Sequence, residues 1–162
     1  MKTIYPLNKV PYPAETPDWM VFLAGSIEMG KAVDWQKQVI DSLTDVPVTL
    51  LNPRRADWDP TWKQDPVEGP FREQVLWELS SIAKSDLVFF YFAPGTISPI
   101  SLLELGLCIG GEKKVVVCCP PDLHRYGNVK ITCELTETKV YEKLEEAIEA
   151  LSNAIADRNS TP

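Results

Sequence analysis

The sequence predicts a doubly wound α/β domain, flavodoxin-like or Rossmann-like, built on a five-stranded parallel sheet in the order 2-1-3-4-5. Two observations predict it. Short continuous apolar runs alternate with longer amphipathic ones along the chain, which is the signature of strands joined by helical crossovers. The apolar runs are unbroken rather than alternating with polar residues, as strands are when both faces of a sheet are covered.

Residues 1–18 carry four prolines, at 6, 11, 13 and 17, and read as an irregular arm. The first strand is WMVFLAG, an apolar run that ends in glycine. KAVDWQKQVIDSL follows, with Trp35, Val39, Ile40 and Leu43 at helical spacing. VPVTLLNPRR returns to strand and stops at Asn52-Pro53. A polar loop rich in Trp and Pro, residues 56–70, is a lid over the ligand crevice or a surface loop whose tryptophans pack on the body. FREQVLWELSSIAKS sets Phe71, Val75, Leu79 and Ile82 on one stripe. DLVFFYFA is the strongest strand. Ser98 and Pro99 open the next helix as N-cap and first helical residue, and KKVVVCCP is another buried strand. An irregular stretch through NVKITCEL leads to VYEKLEEAIEALSNAI, an amphipathic helix with Leu144, Ile148, Leu151 and Ile155 in register. No repeat, low-complexity tract or linker divides residues 1–162, so one domain is expected.

Net charge is −7, and no run of Lys or Arg exceeds two residues. A long nucleic acid requires a basic footprint to displace its counterions, so that partner class is excluded. A small ligand, even an anion, is not, because local backbone dipoles can outweigh net charge. No apolar run is long enough to span a bilayer, and the N-terminus has no signal-like run. Cys108, Cys118, Cys119 and Cys133 lie in apolar contexts without metal-ligand spacing, which predicts reduced, buried thiols in a cytoplasmic protein. One of the vicinal pair Cys118-Cys119 must point away from the main core face. With His124 as the single histidine there is no His-based metal cage, and neither metal nor cofactor is expected.

In open α/β sheets the ligand lies beyond the carboxyl ends of the strands, where the strand order reverses. Those ends are Gly25-Ser26, residues 52–55 and residues 93–98. GSIEMG, residues 25–30, is a ligand loop presenting backbone N–H groups or a simple tight turn. Within SPISLLELGL, Glu104 stands between Leu103 and Leu105. An ionised acid in apolar surroundings costs several kcal/mol unless paired or neutral. Glu104 is therefore either a structural acid, bonded to a neighbouring backbone group or paired with an arginine such as Arg54 or Arg55, or a catalytic carboxylate with a tuned pKa. Glu78 borders the buried stripe of its helix, as a solvated acid or one leaning into the crevice, whereas Glu73 faces solvent. Asp86 reads as a strand-entry anchor.

Three segments, FLAGSI, WEL…AKSDLVFFYF and SPISLLELG, occur in an order that resembles the nucleoside 2-deoxyribosyltransferase superfamily. The resemblance covers roughly residues 20–120 and is closest to the 2-deoxyribosyltransferase-like branch, extending to the small 2′-deoxynucleoside 5′-monophosphate N-hydrolases. It implies cleavage of an N-glycosidic bond. Glu104 would attack the anomeric carbon and form a glycosyl-enzyme, and Glu78, about eight residues before Asp86, would protonate the departing base. Asp86 is carried with them as the third acid of the catalytic set. Ser98, six residues before Glu104, stands where the monophosphate hydrolases hold phosphate, with Ser26 as a second contact. Phe22, Gly25, Ile27, Asn52, Arg54 and Ser101 complete the expected substrate-binding set.

The sequence departs from the family at three places. Phe22 stands where the family offers a tyrosine hydroxyl to the nucleophile. Glu28 replaces a basic residue of the glycine loop, with Lys31, Arg54 or Arg55 as compensating cations. DRNSTP has no counterpart of the transferases' C-terminal carboxylate. The expected partner is a small nucleoside or nucleotide, with water or a second base as acceptor. The resemblance also implies a homodimer or higher homo-oligomer, with Trp77 offered as a contact. The competing readings are a non-catalytic nucleotide-binding module and a hydrolase of a larger nucleotide such as NAD, in which Trp58 and Trp62 would stack on a second ring.

Overall fold

A computed structural model describes residues 1–27 and 34–159. Six parallel strands form one sheet in the order β1-β3-β2-β4-β5-β6. They are β1 (Lys2–Ile4), β2 (Trp19–Gly25), β3 (Val48–Leu51), β4 (Leu87–Tyr91), β5 (Val115–Cys118) and β6 (Val140–Tyr141). The helices are α1 (Trp35–Ser42), α2 (Pro70–Lys84), α3 (Pro99–Gly110), α4 (Tyr126–Glu134) and α5 (Leu144–Asn159). The five strands β3-β2-β4-β5-β6 reproduce the expected order. The sixth comes from the arm expected to be irregular, where Lys2, Thr3 and Ile4 pair with Thr49, Leu50 and Leu51. NVKITCEL, expected to be irregular, is largely the helix α4.

Alternation along the strands divides the core. Val21, Leu23, Leu50, Phe89, Val116 and Cys118 face α1 and α5. Phe22, Ala24, Leu51, Val88, Phe90, Val117 and Cys119 face α2, α3 and α4. Covering both faces resolves the Cys118-Cys119 pair, since each thiol enters a different core. All four cysteines are free and buried, and burial lifts their thiols to about 11 or 12, so they stay protonated and inert at neutral pH. Among the described residues no helix is long and apolar enough to cross a membrane.

The stripe expected on α2 is rotated. Gln74, Trp77, Ser81 and Ile82 are the buried positions, whereas Leu79 is exposed. Trp77 sets the phase by packing on Phe22, with ring centroids 6.4 Å apart, and its indole N–H donates to the Asn8 carbonyl at 3.0 Å. This corrects its expected role as a contact between copies. The rotation brings Glu78, one residue further on, toward the sheet.

Gly25 closes β2 where the strand runs against β4. Its φ is +151°, and a Cβ there would clash with the Tyr91 carbonyl oxygen and the Trp35 ring. Ser26 N–H donates to that same carbonyl at 2.9 Å. Gly25→Ala is therefore expected to destabilise the fold by about 2 kcal/mol or more, measured as a fall in the urea midpoint with an unchanged slope.

Candidate active site

Glu104 and Glu78 project from α3 and α2, two helices that start at the carboxyl edge of the sheet and pack on the same core. Glu104 lies between one and two turns in from its helix start and Glu78 just over two. Glu104 is 8% exposed. Its pKa is raised to about 8, first by burial and second by the charge of Glu78. Among the described residues no cation pairs with it. Arg54 reaches Gln36 Oε1 at 3.4 Å and Asp34 Oδ1 at 3.8 Å. Arg55 turns to Asp57 at 2.6 Å and stacks over Trp62, 4.8 Å from the ring centre. The paired-arginine alternative for Glu104 is thus not the one adopted.

Burial also raises the pKa of Glu78, and a hydrogen bond from Gln74 opposes the rise. Gln74 Nε2 donates to Glu78 Oε1 at 2.8 Å and to the Pro53 carbonyl at 3.0 Å. Its Nε2 orientation follows, because a flipped amide would set oxygen against oxygen at both contacts. Gln74 Oε1 is buried without a partner among the described residues. Gln74 lies one helical turn before Glu78 on the same face, and that spacing is the signal by which the sequence reading could have found it.

A cluster of three hydroxyls sits at the start of α3. Ser26 Oγ lies 2.5 Å from Ser98 Oγ and 3.0 Å from Thr96 Oγ1, and Thr96 and Ser98 are 2.8 Å apart. Ser26 Oγ also accepts the Ala93 N–H at 2.9 Å, and the Thr96 hydroxyl donates to the Ala93 carbonyl at 2.8 Å. With the Thr96 proton so used, two hydrogens remain for three oxygen–oxygen contacts. One of the three contacts therefore has no proton of its own, and the Ser26 and Ser98 hydroxyls, as rotors, can turn from one another to donate to a ligand. Ser98 is the N-cap residue, as the sequence predicts, but it adopts φ 45° and ψ 51°, and its side chain makes no cap bond. That left-handed backbone costs a non-glycine residue roughly 1–2 kcal/mol. It leaves the first turn of α3 without a side-chain oxygen on its N–H groups. Thr96 was missed by the sequence reading because a Pro-Gly-Thr turn carries no signal of where the hydroxyl points.

The remaining expected residues fall in different places. Ser101 is buried in the first turn of α3, and Phe22 is buried between the sheet and α2. Ile27 is half-buried at the edge of residues 28–33. Glu28 and Lys31, with the rest of GSIEMG after Ile27, lie outside the described residues, as do residues 160–162 of the C-terminal segment. Asn52 is buried, and its Oδ1 accepts the Arg54 N–H at 3.0 Å, shaping the turn after β3. A cavity of about 710 Å³ opens beside Asn52, Arg54 and Arg55 toward Tyr5, Leu7 and Lys37. The larger cavity, about 1110 Å³, lies at the opposite edge of the sheet beside Trp19, Leu87 and Lys113, away from the two acids. Asp86 stands at that opposite edge as well. Its Oδ2 accepts the Met20 N–H at 2.8 Å and its own N–H donates to the Met20 carbonyl at 2.8 Å. The fold therefore does not bring Asp86 to the other two acids, and it locks β2 against the entry of β4 instead.

Trp58 and Trp62 pack edge to face on each other, 5.1 Å apart, with Arg55 behind Trp62. His124 is exposed on its loop. Among the described residues no group of three or more His, Cys, Asp or Glu side chains is placed to hold a metal.

A family model described as nucleoside 2-deoxyribosyltransferase like matches residues 18–123 of the 162. The fold is similar to that of a solved conserved protein from Enterococcus faecalis V583, at a TM-score of 0.55 and 14% identity, over 87% of this chain and 99% of that one. It is similar also to the CMP N-glycosidase BcmB of Clostridium botulinum, at a TM-score of 0.54 and 18% identity, over 82% of this chain and 96% of that one. No curated protein sequence matches at a significant level.

Proposed function

The chain belongs to the nucleoside 2-deoxyribosyltransferase-like family, and on that premise we propose that it cleaves the N-glycosidic bond of a small nucleotide through a glycosyl-enzyme on Glu104. The observation that carries this reading is the pair of acids on α2 and α3, Glu104 buried and Glu78 half-buried, with no cation paired to Glu104 among the described residues. A carboxylate held in apolar surroundings is poorly solvated and correspondingly nucleophilic. In the reaction the Glu104 carboxylate bonds to the anomeric carbon as the carbon–nitrogen bond breaks. The electron pair leaves with the base, and Glu78 supplies the proton. Water or a second base then attacks the same carbon and releases Glu104, with Glu78 taking up the proton of the incoming nucleophile.

A nucleoside 5′-monophosphate is the class favoured for the sugar's other end. The Ser26–Thr96–Ser98 hydroxyls and the uncapped first turn of α3 are suited to an anion. The solved CMP N-glycosidase of similar fold makes monophosphates the first substrates to try. Four reduced cysteines fit a cytoplasmic enzyme, and self-association, implied by the family resemblance, is part of the proposal.

The test is a panel of ribo- and deoxyribonucleosides and their monophosphates, with NAD included, followed for free base and for exchange with an added base. Base release from a monophosphate supports the reading. Nucleotide binding without base release over days would replace it with a binding module, and nicotinamide release alone would replace it with a hydrolase of larger nucleotides. Ser98→Ala is expected to raise KM for a monophosphate by about 10- to 30-fold, the loss of one charge-assisted hydrogen bond. The corresponding nucleoside should be affected much less. Ser98→Gly, which relieves the left-handed backbone, should show the same KM defect with better stability, and equal KM changes for both substrates would remove Ser98 from the phosphate role.

A further inference from the structure

Gln74 is a polar side chain on the buried stripe of α2, only 4% exposed. Both hydrogens of its amide are used. Nε2 donates to Glu78 Oε1 at 2.8 Å and to the Pro53 carbonyl at 3.0 Å. Its own Oε1 is buried with no partner among the described residues. For packing alone this is a poor choice, since methionine, of similar length, would bury no unsatisfied oxygen. A local choice that works against the fold is expected where function requires it. The far side of the amide is pinned as well. Pro53 lies in the turn after β3, which Asn52 Oδ1 holds by accepting the Arg54 N–H at 3.0 Å.

We infer that Gln74 is a positioning residue for the reaction proposed above: it holds Glu78 by Oε1, so that Oε2 carries the proton to the departing base. An amide N–H can only donate, so the oxygen it meets must accept. In a protonated carboxyl the carbonyl oxygen is the better acceptor, which leaves the proton on the other oxygen. Once that proton has gone to the base, the same N–H holds the carboxylate through a charge-assisted bond. It also opposes the rise in pKa that burial imposes on Glu78. That the donor is neutral matters, because a cation at position 74 would ionise Glu78 and leave it no proton to give. The neighbouring charges do not take over this task. From α3 the Glu104 carboxyl acts on the pair, with the Cys108 thiol beside it kept protonated by burial. β2 turns the apolar Phe22 and Ala24 to this side of the sheet. In the turn after β3, Arg54 reaches Gln36 and Asp34 and Arg55 reaches Asp57, while in the N-terminal arm Lys9 reaches Glu15. Among the described residues no side-chain donor other than Gln74 meets Glu78.

This role rests on the proposed reaction and deepens it, and the two fail in different ways. A wild type that releases no base from any substrate overturns the reaction. A wild type that releases base, with Gln74 variants that match it, overturns only the role of Gln74. Gln74→Met keeps the length and removes the donor. It is expected to lower kcat by about 10- to 100-fold, the cost of a misplaced catalytic group, with KM within about 2-fold of the wild type. The alkaline limb of kcat/KM should move to higher pH, because the N–H that favours ionised Glu78 is gone. A substrate whose leaving group needs no proton should lose less than about 3-fold. Added to Glu78→Gln, the change should cost little more than Glu78→Gln alone. A merely structural role would slow both substrates equally, add to the Glu78→Gln loss and leave the limb in place. Gln74→Lys, which keeps a donor in reach of both acceptors, covers the case in which Gln74→Met does not fold, and it should move the limb the other way, to lower pH. With folding checked by circular dichroism, an unmoved limb, or equal losses on the two substrates, would overturn the inference.

Discussion

Replacing Glu104 with glutamine is expected to abolish base release, by roughly 10³- to 10⁶-fold as for other nucleophile deletions, and to make the protein more stable at neutral pH. Both effects have one cause. The amide keeps the shape of the side chain but can neither ionise nor bond covalently to the sugar. In the wild type, burial and the Glu78 charge raise the Glu104 pKa to about 8. Between the ordinary carboxylate range and pH 8 the unfolded chain has released this proton while the folded chain still holds it. Folding therefore takes up a proton, and stability falls as pH rises through that window. Glu104→Gln removes the dependence. Thermal unfolding should show a small gain for the variant at pH 5 that grows toward pH 8, to as much as several kcal/mol. Turnover like that of the wild type would end the assignment of Glu104 as nucleophile.

The second large effect is expected at Glu78. The reactive form of the pair holds a single proton, with Glu104 ionised and Glu78 protonated. Burial raises both acids, so the two share that proton and titrate as a pair, the reactive form being one of its two arrangements. The wild-type profile of kcat/KM against pH should be a bell whose alkaline limb falls near pH 8, where the pair loses its last proton. Glu78→Gln should lower the rate by about 10²- to 10⁴-fold, the usual worth of a general acid. It should also change the profile's shape. Without the neighbouring negative charge the Glu104 pKa drops below about 8, and without the acid there is no alkaline limb. A single rising limb should remain. A substrate with a leaving group that needs no proton should recover most of the rate, and an unaltered bell in the variant would rule out Glu78 as the proton donor.

Much of this was legible in the sequence, and the failures have identifiable causes. Continuous apolar runs such as WMVFLAG and DLVFFYFA announced strands buried on both faces, and the order of the five principal strands followed. The short strand at Lys2–Ile4 was hidden, since three residues with a proline two positions on leave no period to detect. On α2 the apolar count favoured Phe71, Val75 and Leu79, but packing of Trp77 on Phe22 turned the helix and buried Gln74 and Ser81 instead. An indole is the largest apolar surface on this helix, and its partner Phe22 on the sheet beneath is invisible to local spacing. The acid in SPISLLELGL stood out because its flanks are leucines. Gln74 and Thr96 did not, because their importance lies in which atoms they meet.

The two outermost strands, three residues at β1 and two at β6, have a further consequence. Inside β1 lies β3, four residues of wholly buried VTLL, whose unpaired N–H and C=O groups would otherwise template cross-β growth. Short, peripheral guard strands blunt both rims of the sheet and leave little ladder on which another chain can zip. Trimming the first five residues would strip one guard away and leave the chain prone to edge-to-edge aggregation.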